Sequence, residues 1–366
     1  MPGKLPPAAT DWSSWASDLP AFDEEAAAAA RRHQTQLTKP PGSLGRLEDL
    51  GVLYAGARGR FPVAPPARAR IYVFAADHGV AAEGVSPYPS SVTAAMVANF
   101  VAGGAAISVL TRAHDIELAV VDVGVASPIP GAGAAGEGAR LVSRPVRAGT
   151  ASFLRGPAMS RAEAEAALGV GLALAEESAA EGVELLGAGE MGIGNTTAAA
   201  AVVAALTGAS PDLVVGRGTG VDDVGLVRKI DVVSASLDLH ALDGRDVLGV
   251  LAAVGGLEIA AMAGLMLGGA RRRVPVVVDG FISGAAALVA TRLAPGVRDY
   301  LFFSHLSAER GHRIVCEALD ARPLLDLGMR LGEGTGAALA ISLLRAAVRL
   351  QSEMATFESA GVANRD

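Results

Sequence analysis

Six short apolar runs punctuate this chain: Ile71–Ala76, Leu118–Val123, Val183–Ala188, Asp212–Gly216, Val274–Val278 and Tyr300–Phe303. Each ends in a polar or glycine-bearing turn, and a helical pattern follows it. Runs this short and this uniformly apolar are expected for strands buried on both faces, and strands that alternate with helices build a parallel sheet. The expected class is therefore α/β, a Rossmann-like parallel six-stranded sheet flanked by helices, with its ligand crevice along the carboxyl edge of the strands. Residues 61–304 would form this large domain. The two chain ends, 20–60 and 305–360, both read as helical and would pack together as a smaller one, with 1–19 loosely ordered.

The helices between these runs carry recognisable ends. Asp23-Glu24-Glu25 opens a helix that closes on Arg31-Arg32, acids and bases placed to suit the helix dipole. Ser43 is positioned to cap a second helix that runs to about Ala57. Further helices are expected over Val92–Thr111, over 161–180 with a Ser160/Glu163 capping box, over Ala198–Leu206, from Asp222-Asp223 onward, and over 246–268. The segment 126–150, rich in Gly, Ala and Pro, reads as loop. From 306 to about 355 the pattern is helical apart from a loop at Gly328–Gly336.

Composition narrows what such a fold can be for. Only 4% of residues are aromatic while 51% are hydrophobic, so the core is built from Ala, Val and Leu. The formal net charge is −7 and no long basic run occurs, which argues against a nucleic-acid partner. Cys316 is the single cysteine, so no disulfide or Cys-based zinc site forms within one chain, as expected in a reducing cytoplasm. Met-Pro-Gly-Lys at the start lacks the apolar core of a signal peptide. Val247–Ala270 is the nearest thing to a membrane span, but it contains Glu258 and lacks a basic flank on its N-terminal side. A buried helix is expected there, and no membrane association.

Several turns carry candidate chemistry. Gly189-Glu190-Met191-Gly192-Ile193-Gly194-Asn195-Thr196-Thr197 lies between a strand and a helix, where glycines admit a ligand to the backbone and free N–H groups attract an anion. Glu190 would repel a phosphate, so the stretch also reads as a tight connection with a helix cap. A second glycine turn, Gly216-Arg217-Gly218-Thr219-Gly220, could join it in holding a phosphate, with Lys229 as a point charge. Asp222-Asp223 resembles the acidic pair of transferases that use phosphoribosyl pyrophosphate, although that pair ends a strand and precedes the phosphate loop. Glu333, between glycines and near Met329 and Leu331, is either a loop residue in water or a carboxylate whose pKa is raised by apolar surroundings, as a general base requires. Asp77-His78 is either a structural pair or a metal- or proton-handling one. His305, Glu309 and His312 are spaced to share one helical face.

Taken together the motifs are distinctive. Lys39-Pro-Pro-Gly-Ser-Leu-Gly, Asp77-His-Gly-Val, Gly84-Val-Ser-Pro-Tyr-Pro, the two glycine turns, Pro275-Val-Val-Val-Asp-Gly-Phe, Ser304-His-Leu-Ser-Ala-Glu-Arg-Gly-His and Leu331-Gly-Glu-Gly-Thr-Gly-Ala resemble, in order from about residue 35 to 350, the nicotinate-nucleotide–dimethylbenzimidazole phosphoribosyltransferase family. That family makes the lower-ligand nucleotide of cobalamin. The resemblance implies transfer of phosphoribose from nicotinate mononucleotide to 5,6-dimethylbenzimidazole, with α-ribazole 5′-phosphate and nicotinate as products. It implies Glu333 as the base, Glu190 as a second carboxylate near it, and phosphate held by Gly192, Gly194, Asn195, Thr196, Gly218, Thr219, Gly220 and Lys229. Asp279 would contact the ribose or order the loops, and the base pocket would draw on Ser86, Tyr88, Ser90, Met191, Met329 and Leu331. Ser90 stands where a Gln is expected, so a polar contact to the incoming base is lost or replaced. The family also implies a homodimer that needs no metal or cofactor. Two alternatives are a non-catalytic nucleotide sensor and a metal-dependent hydrolase built on Asp77, His78, His305 and His312.

Overall fold

The chain enters its sheet at the centre. Strand β1 (Ala69–Ala76) pairs in parallel with both β2 (Glu117–Gly124) and β4 (Leu185–Met191). From β2 the chain steps outward to β3 (Arg140–Ser143); from β4 it steps the other way to β5 (Val276–Val278) and β6 (Leu301–Phe303). The structure, a computed structural model, describes residues 12–131 and 138–363. Among these the sheet has six strands in the order β3-β2-β1-β4-β5-β6, all neighbours parallel. The order reverses between β1 and β4, and a crevice opens at such a switch point beyond the carboxyl ends of the strands.

In chain order the helices are α1 (Trp12–Ser17), α2 (Glu24–Gln34), α3 (Arg46–Arg58), α4 (Ser91–Ala102), α5 (Ala106–Ala113), α6 (Arg161–Ala180), α7 (Asn195–Thr207) and α8 (Pro211–Val214). They continue with α9 (Asp223–His240), α10 (Val247–Val254), α11 (Leu257–Arg271), α12 (Phe281–Leu293), α13 (His312–Ala318), α14 (Thr335–Glu353) and α15 (Phe357–Ala360). Tyr72, Phe74, Val121, Leu186 and Val276 point to one face of the sheet and share a core with α6, α7, α10, α11 and α12. Ile71, Val73, Val120, Leu185 and Val277 point to the other, where α2, α3, α4, α5 and α14 cover them. The chain ends thus meet in one helical layer, tied by an antiparallel bridge between Leu37 and Thr356, and that layer packs directly on the sheet.

Local chemistry explains most element ends. Asp23 caps α2 through Ala26 N–H at 2.8 Å, and the capping box Ser160/Glu163 opens α6. Asp222 caps α9 through Gly225 N–H at 2.8 Å, while Asp223 ion-pairs with Arg217. The acidic pair therefore starts a helix. Ser43 does not cap α3: Gly45 holds that position without a side-chain bond, and Glu48 reaches back to the N–H groups of Gly42 and Leu44.

Other differences from the sequence reading have plain causes. Asp212–Gly216 is not a strand; Pro211 sits in the first turn of the short helix α8, where a fixed φ favours helix. The sixth strand is instead β3, inside the segment 126–150 that reads as loop. Its four residues lie at an edge with Arg140 and Ser143 exposed, so it shows no apolar run. Residues 132–137 of that segment, like 1–11 at the start, lie outside the described residues, whereas Trp12–Ser17 is helical. The single helices expected over Val92–Thr111 and 246–268 are each two, broken at Gly103-Gly104 and Gly255-Gly256. Beyond His305 the loop is longer than Gly328–Gly336, since α13 ends at Ala318 and α14 begins at Thr335.

Candidate active site

Strand β4 runs further than its apolar stretch suggests. Gly189, Glu190 and Met191 remain paired to β1, opposite Val73, Phe74 and Ala75. Glu190 is therefore a strand residue beside the crevice, and only Gly192 to Gly194 form the turn. Gly194 (φ +97°) caps α7, which opens with Asn195 and Thr196. The helix start and the turn line a cavity of about 650 Å³ at the β1/β4 switch point, although the Ile193 N–H is taken by Thr93 Oγ1 and the Asn195 N–H by Gly192 O.

Thr196, Gly218 and Thr219 line this cavity. Lys229, fully buried on α9, donates from Nζ to Thr196 Oγ1 at 2.9 Å. Burial pulls its pKa down to about 8, against the opposing pull of Glu309. Arg330 also lines this space. The arrangement places positive charge and backbone donors around an opening suited to an anion.

Tyr88, Val92, Met96, Met191 and Leu331 give the same cavity an apolar lining, and Glu190 and Glu333 line it too. Glu333 is held in an unusual loop: Gly332, Glu333 and Gly334 all have positive φ, at +85°, +63° and +87°. The loop lies directly on β4. A Cβ at Gly189 would meet the Glu333 backbone at 2.6 Å, and one at Gly332 would collide with Glu190 Oε1. Both glycines are needed for the two carboxylates to stand on one wall.

Asp279, at the end of β5, organises the same loop. Its Oδ1 accepts from Ala337 N–H at 3.0 Å and its Oδ2 from Gly334 N–H at 3.3 Å. A β5 carboxylate thereby fixes the start of α14. Burial drives the Asp279 pKa up to about 7 while these N–H bonds oppose the rise. Glu190 is pushed up to about 8, first by burial and then by the negative charges of Glu258 and Asp279; Asn195, whose amide donates to Glu190 Oε2, works the other way. Glu333 is likewise raised by burial, opposed by the Ile107 N–H at the start of α5, and its Oε2 has no hydrogen-bond partner.

The expected site residues fall into place unevenly. Glu333, Glu190, Gly192, Asn195, Thr196, Gly218, Thr219, Asp279, Tyr88, Met191 and Leu331 all line the cavity. Gly194 and Lys229 support it from behind as described. Gly220 (φ +109°) completes the second glycine turn outside the lining, and Ser86 Oγ accepts from Tyr88 N–H at 3.2 Å and lies 3.5 Å from Thr219 Oγ1. Ser90 precedes α4 without lining the cavity, and Met329 contributes a carbonyl to Ala308 N–H rather than a wall.

Sequence reasoning missed Val92 and Met96, whose spacing of four along α4 puts them on one face, and Phe281 and Ile282, which follow Asp279-Gly280. It gave Ser307 no role and placed Glu309 only on one helical face with His305 and His312, whereas α13 begins at His312 and leaves His305 and Glu309 in the preceding loop. The histidines do not converge on a metal site. His78 pairs with Glu258 at 2.8 Å, both side chains fully buried, beneath the 192–194 turn. Asp77 accepts from Ala126 N–H at 2.8 Å, and His312 accepts at Nδ1 from Ser307 N–H at 2.8 Å. Among the described residues no group of three or more His, Cys, Asp and Glu is arranged to hold a metal ion.

Known proteins share this arrangement along nearly the whole chain. A family model described as phosphoribosyltransferase matches residues 19–362. The nicotinate-nucleotide–dimethylbenzimidazole phosphoribosyltransferase of Chloroflexus aggregans is 55% identical over 94% of this chain and 96% of its own. That of Geobacter sulfurreducens is 51% identical over 94% and 96%. The crystal structure of the same enzyme from Thermus thermophilus superposes with a TM-score of 0.87 at 50% identity, covering 94% of this chain and all of the other. The chain belongs to the nicotinate-nucleotide–dimethylbenzimidazole phosphoribosyltransferase family.

Proposed function

We propose that the protein transfers phosphoribose from nicotinate mononucleotide to 5,6-dimethylbenzimidazole, releasing nicotinate and forming α-ribazole 5′-phosphate. The observation that carries this reading is the mixed lining of one cavity, where the glycine-turn residues Thr196 and Gly218, apolar side chains and a buried carboxylate, Glu333, come together.

In this reading the phosphate rests in the glycine turns 192–196 and 218–220 with Lys229 behind them, and the ribose lies near Asp279. The benzimidazole lies against Tyr88, Met191 and Leu331, within reach of the Ser86–Ser90 loop. One ring nitrogen attacks C1′ from the face opposite nicotinate, so a β-linkage becomes an α-linkage. The nicotinate ring leaves with the electrons of the C1′–N bond, which quench its own positive charge, so no acid is required. The attacking ring becomes cationic and must lose its other N–H proton; Glu333 accepts it. Glu190 keeps a proton near neutral pH, so it adds no second full negative charge beside Glu333 and offers an O–H donor that orients the base. Positioning the two substrates supplies most of the remaining acceleration. No cofactor enters the scheme.

The test is direct: incubate the protein with both substrates and separate the products by chromatography. Formation of α-ribazole 5′-phosphate with matching nicotinate release is expected; no product across a wide concentration range would refute the reading. A panel of benzimidazole, dimethylbenzimidazole, adenine and phenols then fixes the preferred base. We also propose a cytoplasmic homodimer. Sedimentation equilibrium should give twice the chain mass of 36.8 kDa, and a monomer at assay concentration would exclude the dimer.

A further inference from the structure

The mechanism above leaves Glu309 unused, although it lines the cavity and is more than nine-tenths buried. Its placement is not accidental to the fold. Its own N–H donates to Ser307 Oγ at 3.3 Å and its carbonyl accepts from His312 N–H at 3.1 Å. His312 in turn accepts from Ser307 N–H, which fixes the loop after β6 from two sides. The carboxylate lies against the backbone of Gly216, so closely that a Cβ there would collide with Oε2. At Gly218, two residues on, a Cβ would stand 2.7 Å from Thr196 Oγ1 and 2.9 Å from Lys229 Nζ. Glu309 and Lys229 therefore flank one glycine turn with opposite charges.

Glu309 Oε2 is buried without a hydrogen-bond partner. A buried carboxylate with an unsatisfied oxygen is destabilising unless a donor arrives. A phosphate supplies acceptors and negative charge, so it is the wrong occupant. A cation would need further oxygen or nitrogen ligands, and no group of three ligating side chains exists among the described residues. A sugar hydroxyl is the right kind of group, because it brings O–H donors without charge. Glu309 lines the same cavity as Thr196, Gly218 and Thr219 and lies against Gly216 of the second glycine turn.

We propose that Glu309 is a specificity residue that accepts hydrogen bonds from the 2′- or 3′-hydroxyl of the phosphorylated pentose. This rests on the phosphoribosyl reading above and deepens it. Lys229 and the N–H groups recognise the phosphate; Glu309 recognises that the sugar is a ribose and rejects its deoxy counterparts, which would leave the carboxylate desolvated and unpaired.

The experiment is calorimetric binding of nicotinate mononucleotide and its 2′-deoxy and 3′-deoxy counterparts to the whole wild-type chain and to Glu309→Gln. Wild type should bind at least one deoxy compound about 10–100-fold more weakly than the ribonucleotide, the range for a hydrogen bond to a charged group. In Glu309→Gln that ratio should shrink to a few-fold, with the loss falling on the ribonucleotide while inorganic phosphate competes as well as before or better. Equal wild-type affinity for all three nucleotides overturns the proposal whether or not the variant folds, as does a variant that weakens all three alike. Binding is measured without an acceptor base, so the two readings fail separately. Discrimination without turnover would refute the transfer reaction alone, turnover without discrimination the role of Glu309 alone, and absence of ribonucleotide binding both.

Discussion

Glu333 occupies a backbone conformation that residues with a Cβ rarely adopt, and its carboxylate is buried with one oxygen unpaired. Each feature costs about 1–3 kcal/mol, so the position is held at the expense of stability, a pattern of sites kept for chemistry. Glu333→Gln keeps the shape and removes the base: turnover should fall roughly 10²–10⁴-fold while nucleotide affinity stays within a few-fold. Steady-state rates paired with calorimetry check this, and a rate within a few-fold of wild type would assign the base elsewhere. Glu333→Gly should be at least as thermally stable as wild type and still inactive; a large drop in melting temperature would show that the side chain supports the loop. Glu190 adds a pH effect. Its folded pKa, about 8, exceeds the unfolded value, so the native state holds a proton that the unfolded state releases. The stabilisation from that protonated carboxyl is complete below the ordinary Glu range and declines as pH rises toward 8. Melting curves of Glu190→Gln should therefore decline less than wild type between pH 5 and 8, and parallel curves would contradict the shift.

At the scale of elements, the site is the meeting of β4 with the start of α14, and Gly189 sets their spacing. Gly189→Ala would push a methyl group into the Glu333 backbone, which rigid neighbours cannot yield without moving the loop. At least a tenfold loss of turnover is expected with unchanged far-ultraviolet circular dichroism; full activity would mean that the loop is not fixed by β4. The end of a strand such as Gly189–Met191 is hard to recognise, because apolarity is the main strand signal and the continuous run ends at Ala188. The buried strands β1 and β2, the capping box of α6 and the glycine turns were legible because each rests on local chemistry. The edge strand β3, the short helix α8 and the roles of Ser307 and Glu309 were not. The pairing of β3 at the sheet edge and the contact of Glu309 with Gly216 join segments far apart in sequence, whereas α8 and the Ser307–His312 contact are local but too short to stand out as a pattern. Likewise, Glu190 and Glu333 are far apart in sequence, and their shared wall became readable only through the resemblance of the whole set of motifs.

Across the whole molecule, the cavity lies where the sheet changes direction, and its wall takes residues from segments following β1, β4, β5 and β6. A ligand there contacts groups that scatter when the chain unfolds, so it should stabilise the fold as a unit. At 100 times its dissociation constant, nicotinate mononucleotide should add about 2.7 kcal/mol, a rise in melting temperature of about 3–4 °C for a chain of this size. Differential scanning fluorimetry measures the shift; none at saturating ligand would mean that the mononucleotide does not bind the native cavity.

The bridge between Leu37 and Thr356 bears on how the protein comes into being. Helix α14 covers the sheet from the far end of the chain, and the N–H groups that hold Asp279 belong to its first turn. During synthesis the glycine turns after β4 emerge well before Gly332–Gly334 exist. A nascent chain can thus possess the means to grip a phosphate long before it possesses Glu333. The wall that carries both carboxylates is complete only once the segment through Thr356 has been made, and that segment is bridged back to Leu37.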